Sequence, residues 1–192
     1  MMSRSDLLVA DRPTLPTATN AAAGGSAVHD LAAAIGAALD GPAMLVPARI
    51  VAAVRRAVGR PDLLTPPQCQ PRIECYARHL IHADPAGRFT ILAIVWGPGQ
   101  FSPVHAHHTW CAYAVRSHVL TETLFRLDPD TSIACPASAD LRHPGYACYA
   151  EAGMEQVHRL GNAHDQPAIS VHVYGVGGGQ ISTGVNRIVP VT

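Results

Sequence analysis

A chain of 192 residues carrying 14 basic and 14 acidic side chains has no formal net charge. That balance excludes the cationic face that nucleic-acid binders and polybasic membrane modules need. At 48% hydrophobic and 15% charged residues the chain is not a disordered one, and one domain of this size buries roughly 70% of its unfolded surface without help from disulfides or metals.

No apolar run reaches the ~18 residues of a membrane span, and the opening MMSRSDLLVADRPTLP lacks the apolar stretch of a secretory signal. A cytoplasmic protein without membrane or nucleic-acid partners is expected. The five cysteines, Cys69, Cys75, Cys111, Cys135 and Cys148, show no CxxC spacing, which reads as free thiols. The compositional outlier is histidine, with 11 residues against 3 Phe and 2 Trp.

Residues 1–28 are rich in Ser, Thr, Pro, Ala and Gly and read as a flexible tail. Residues 29–87 read as a helical region: one helix over 29–39, a second over 48–58 after Pro47, and a short third over 73–80. Residues 88–192 read as a β domain. RFTILAIVW (88–96) is a strand by its β-branched and aromatic content, GPGQ (97–100) a turn, and short apolar or alternating runs follow at 103–107, 110–115, 119–127, 145–150, 154–160, 168–176 and 180–189. Many short strands behind a few helices predict a mostly β protein, a sandwich or small barrel preceded by N-terminal α-helices.

Within SPVHAHH, His105 and His107 stand two apart, so on a strand their imidazoles share one face, while His108 points to the other. A third candidate, His158, lies in QVHRLGN, 51 residues after His107. Neutral imidazole is a common ligand for first-row metals.

Gly99-x5-His105-x-His107 followed by His158-x3-Asn162 resembles the two motifs of cupins, whose usual first-motif Glu is here replaced by Cys111-Ala112 and whose closing Gly by His118. The longer strings WGPGQFSPVHAHHTWC, LTETLF and ISVHVYG resemble the cysteine dioxygenase type I family and its bacterial relatives, over about residues 73–176. The resemblance implies a cupin (jelly-roll) β-barrel and a non-haem Fe(II) site held by His105, His107 and His158. It implies oxidation of a small thiol by dioxygen to the sulfinic acid, with L-cysteine as substrate. Three neutral ligands leave the 2+ charge of ferrous iron uncompensated, which favours an anionic guest such as a thiolate.

Ser170, His172 and Tyr174 alternate in AISVHVYG. By resemblance they form a hydrogen-bonded catalytic chain that ends with the Tyr174 phenol at the metal. Cys111 falls where mammalian-type members hold the cysteine that forms a thioether with this tyrosine, although HHTWC is one residue shorter; a Cys111–Tyr174 crosslink is the corresponding expectation. Tyr76 and Arg78 in CYARHL match the substrate-binding Tyr-x-Arg of the family. A guanidinium fork there clamps a carboxylate and tilts the choice toward L-cysteine over 3-mercaptopropionate or another small thiol acid. A non-catalytic metal-binding cupin is the reading from a different class.

Overall fold

The computed structural model describes residues 25–191. The expected flexible tail falls on residues 1–28, most of which lie outside the described ones. Residues 26–28 belong to the first helix, α1 (Ser26–Leu39), which buries Val28, Leu31, Ile35 and Ala38 on one stripe at helical spacing. Its N-terminus begins earlier than the periodicity alone predicts because Asp62 caps it from outside. One Asp62 carboxylate oxygen accepts from Ser26 Oγ at 2.9 Å and from the Ala27 amide at 3.0 Å. Helix α2 (Val46–Val58) contains Pro47 in its first turn instead of starting after it, a position where the missing N–H costs nothing. It buries Ile50, Ala53, Val54, Ala57 and Val58.

Ten strands follow: β1 (Ala77–Ala83), β2 (Thr90–Trp96), β3 (His105–His107), β4 (Cys111–Ser117), β5 (Leu120–Leu127), β6 (Ala134–Arg142), β7 (Ala147–Ala150), β8 (Gly153–Gly161), β9 (Ala168–Tyr174) and β10 (Asn186–Ile188). They form two five-stranded antiparallel sheets, in the orders β1-β2-β9-β4-β7 and β10-β3-β8-β5-β6. This is the mostly β cupin layout with N-terminal helices, built as two sheets.

The period-2 alternation of the first sheet explains its two cores. Ile91 and Ala93 of β2, Ala112 and Ala114 of β4, and Val171 and Val173 of β9 pack outward against α1 and α2. The intervening residues, Ile94 and Trp96, Tyr113 and Val115, face the second sheet with Leu120 and Leu160. A strand buried on both faces reads as a continuous apolar run, which is why TILAIVW shows no alternation. Arg116 of β4 ties the helices to this sheet by donating to the carbonyls of Val58 and Arg60, both at 2.8 Å, at the C-terminus of α2.

Two expectations are corrected. The short helix over 73–80 is absent: residues 77–83 form β1, the edge strand of the first sheet, paired antiparallel with β2. Its burial shows no alternation because it is partly exposed on both sides. Strand β6 falls outside the expected runs altogether. It is an exposed edge strand containing Pro136, a residue tolerated where no ladder partner is needed on the outer side.

Candidate metal centre

His105 and His107 lie on β3 and His158 on β8, opposite His105 in the antiparallel register. All three side chains are buried. Their ring centroids are separated by 4.6 Å (His105–His158), 5.0 Å (His105–His107) and 5.1 Å (His107–His158). One nitrogen from each lies within 4.8 Å of the others, the geometry of three ligands around one ion. His108 is exposed and lies just past the end of β3.

The ring orientations suit ligation. His105 Nδ1–H donates to the Pro103 carbonyl at 2.9 Å, which leaves Nε2 with its lone pair. His158 Nδ1–H donates to Glu122 Oε1 at 2.7 Å, and its Nε2 is buried with no hydrogen-bond partner. His107 also has a buried, unpartnered nitrogen, Nδ1. Burial lowers His105 to about 3 and His107 to about 2, so both are neutral imidazoles throughout the physiological range. Buried polar atoms without partners are costly, and a metal ion satisfies them; the residues present fit one.

A small cavity lies over the three imidazoles. Tyr76, Arg78, Trp96, Cys111, His172 and Tyr174 are among its lining residues, so every residue singled out from the sequence borders it except Ser170, which stands behind His172. Arg78 comes from β1, where one guanidinium N–H donates to the Ile181 carbonyl at 3.3 Å. Tyr76 precedes β1 and its ring lies 4.7 Å from that of Trp96. Trp110 does not border the cavity; it stacks on Tyr149.

A family model described as cysteine dioxygenase type I matches residues 72–181, more than half of the chain. The chain belongs to the cysteine dioxygenase type I family. Among solved structures it is similar to a protein of Thermus thermophilus, with 22% identity, covering 57% of this chain and 91% of that one at a TM-score of 0.43. It is also similar to a double-stranded β-helix protein of Klebsiella pneumoniae, with 19% identity, covering 57% and 79% at a TM-score of 0.43.

In this member of the family Ser170, His172 and Tyr174 are joined in a chain that starts one residue earlier than their alternation shows. Trp96 Nε1–H donates to Ser170 Oγ at 2.8 Å, and Ser170 Oγ lies 2.8 Å from His172 Nε2. Indole nitrogen can only donate, so the Ser170 hydroxyl oxygen accepts from Trp96. Burial lowers His172 to about 3, so the ring is neutral and carries one proton; its Nδ1 lies 3.2 Å from the Tyr174 oxygen. The Tyr174 hydroxyl ends this chain, hydrogen-bonded to His172 and to the Cys111 thiol. Burial raises the Tyr174 phenol well above its ordinary range, so it stays protonated.

Cys111 of β4 stands directly opposite Tyr174 of β9 in the antiparallel register, and both are buried. Burial raises the Cys111 thiol.

Glu122 is the functional side chain that sequence reasoning missed. It is 5% exposed on β5, and both carboxylate oxygens are engaged: Oε1 by His158, Oε2 by the Tyr113 hydroxyl at 3.0 Å and by Arg142 Nε at 2.8 Å. Burial pushes its pKa up, but His158 and Arg142 outweigh that and hold it at about 2. The charge of a bound divalent ion is thus met one hydrogen bond behind the ligands, not left wholly uncompensated. The available signal was the alternation Leu120, Glu122, Leu124, which puts a carboxylate at an inward position of a half-apolar strand.

Proposed function

We propose that the protein is an iron(II)-dependent thiol dioxygenase that converts L-cysteine and dioxygen to cysteine sulfinic acid. The observation that carries this reading is the convergence of three buried imidazoles beneath a cavity that also presents a guanidinium and a protonated phenol. His105, His107 and His158 would hold the ion. A ferrous ion there would supply the means to bind the thiol as thiolate and to activate dioxygen. The overall change is R–SH + O2 → R–SO2H: both oxygen atoms end on sulfur, which gives up the four electrons that dioxygen takes up.

The remaining steps belong to the chain's own side chains. Arg78 clamps the substrate carboxylate with its planar fork and Tyr76 flanks it, which fixes where the sulfur sits. Ile94, Trp96 and Leu160 exclude water on one side. The phenol proton of Tyr174, at the end of the Trp96–Ser170–His172 chain, donates to the bound reactant. The direct register of Cys111 and Tyr174 supports a thioether between them. A module that only binds a metal has no use for such an oriented chain of donors.

One observation favours a second reading, the same chemistry on 3-mercaptopropionate: the residues lining the cavity over the imidazoles include no acidic side chain to receive the ammonium of cysteine. Anaerobic loading with Fe(II), followed by oxygen uptake and product identification with each thiol, tests both. Sulfinate from cysteine at the higher kcat/KM is the expected result. Preference for 3-mercaptopropionate selects the second reading, and sulfinate from neither thiol overturns the enzyme assignment.

A further inference from the structure

A second, small cavity adjoins the imidazoles on another side. It shares His107, Cys111, Tyr113 and His158 with the first cavity, so the two meet at the metal centre. From there it is bordered by Cys148 and Ala150 of β7 and reaches Leu124 of β5, which is 36% exposed and so stands at the surface.

The two cavities differ in chemistry. The first carries Arg78 and the Tyr174 phenol, groups that receive a polar, anionic thiol acid. Glu122 is the one carboxylate bordering the second, and no lysine or arginine lines it. Both Glu122 oxygens are already occupied by His158, Tyr113 and Arg142. Burial raises the thiols of Cys111 and Cys148, the latter to about 12, so neither is ionised. The exposed Gln156 stands beside Leu124 in the lining, and Tyr113 and the two imidazoles complete it. An anionic substrate meets a carboxylate of its own sign and no arginine there, whereas an apolar gas has Leu124, Ala150 and two neutral thiols to pass along. Small apolar guests such as xenon settle against apolar side chains in protein cavities, here Leu124, Ala150 and the two thiols.

We propose that this second cavity is the binding and entry site for dioxygen, separate from the cavity that takes the thiol. The proposal rests on the dioxygenase reading. A thiol acid clamped by Arg78 fills the first cavity, and the gas still reaches the imidazoles through the second.

Xenon-pressurised crystals of the iron-loaded protein read the cavity without turnover. Xenon density beside Leu124, Cys148 and Ala150 is expected, and it is lost in Ala150→Leu, whose side chain enters the cavity opposite Cys111. Leu124→Trp, at an exposed position, narrows the mouth should the Ala150 variant fail to fold. In either folded variant, kcat/KM for dioxygen falls about fivefold while kcat/KM for the thiol stays within about twofold. Absence of xenon from the wild-type cavity overturns the proposal, as does an unchanged kcat/KM for dioxygen in a folded variant. Xenon bound in a protein that forms no sulfinate from any thiol overturns the enzyme assignment instead, and with it the claim that the gas carried is dioxygen.

Discussion

Glu122 Oε1 lies 2.7 Å from His158 Nδ1, and the opposite oxygen of the same carboxylate is held by Tyr113 and Arg142. The carboxylate thus fixes the tautomer of a candidate ligand that arrives from a different strand. Glu122→Gln keeps the side-chain shape and one acceptor but removes the charge. Its affinity for a divalent ion, read by competition with a chelator, is expected to fall about 10- to 100-fold. An unchanged affinity would show that His158 is held by packing alone.

Tyr174→Phe removes the hydroxyl at the end of the Trp96–Ser170–His172 chain, yet leaves the three imidazoles in place. Metal content is expected to stay at the wild-type level while kcat falls about 10²-fold or more. Ser170→Ala breaks the chain two links back. It should lower kcat by a smaller factor, with little change in KM. Intact-mass analysis of aerobically turned-over wild-type protein reads the thioether directly as the loss of two hydrogens, with Cys111 and Tyr174 in one linked peptide. The same mass change in Cys111→Ala would place the link elsewhere.

Arg78 is the cationic side chain bordering the first cavity. Charged hydrogen bonds contribute about 1.5–3 kcal/mol, so Arg78→Gln is expected to raise KM for cysteine about 10- to 100-fold. Arg78→Lys retains the charge but not the fork and should recover only part of that loss. Equal KM values in all three proteins would remove Arg78 from substrate binding.

Asp62 links acid stability to the N-terminus of α1. The hydrogen bond from Arg60, helped by Ser26 and the Ala27 amide, holds its carboxyl well below the ordinary range of about 3.9. A depressed folded-state pKa contributes stability that is complete above the unfolded value and is lost as pH falls through the folded one. Asp62→Asn should therefore melt below the wild type at pH 7, with the gap closing as the pH falls below about 4. The pair is exposed, so salt should shrink the gap as well. A gap that is constant down to strongly acidic pH would assign the effect to packing.

Strand alternation made much of this protein legible. It placed His105 and His107 on one face, and it aligned Ser170, His172 and Tyr174, because the side-chain period of a strand is a local property. Edge strands escaped for the same reason. β1 is partly exposed on both sides and β6 is largely exposed, so neither shows the contrast that a half-buried strand prints on its sequence. Glu122 escaped because its meaning lies in a partner 36 residues away. Trp96 is an apolar core residue by composition, and only the approach of β2 to β9 makes its indole N–H the start of the chain that ends at Tyr174.

By itself, then, the sequence determined the two helices, most of the strands, and which side chains share a face along each strand. Only the tertiary structure decided which faces meet: that β8 brings His158 opposite His105, that Glu122 stands behind it, and that two cavities join at the imidazoles. The division is physical. Backbone periodicity is set residue by residue, whereas register, burial and hydrogen-bond partners depend on segments that are distant in the chain and come together only when the apolar faces pack.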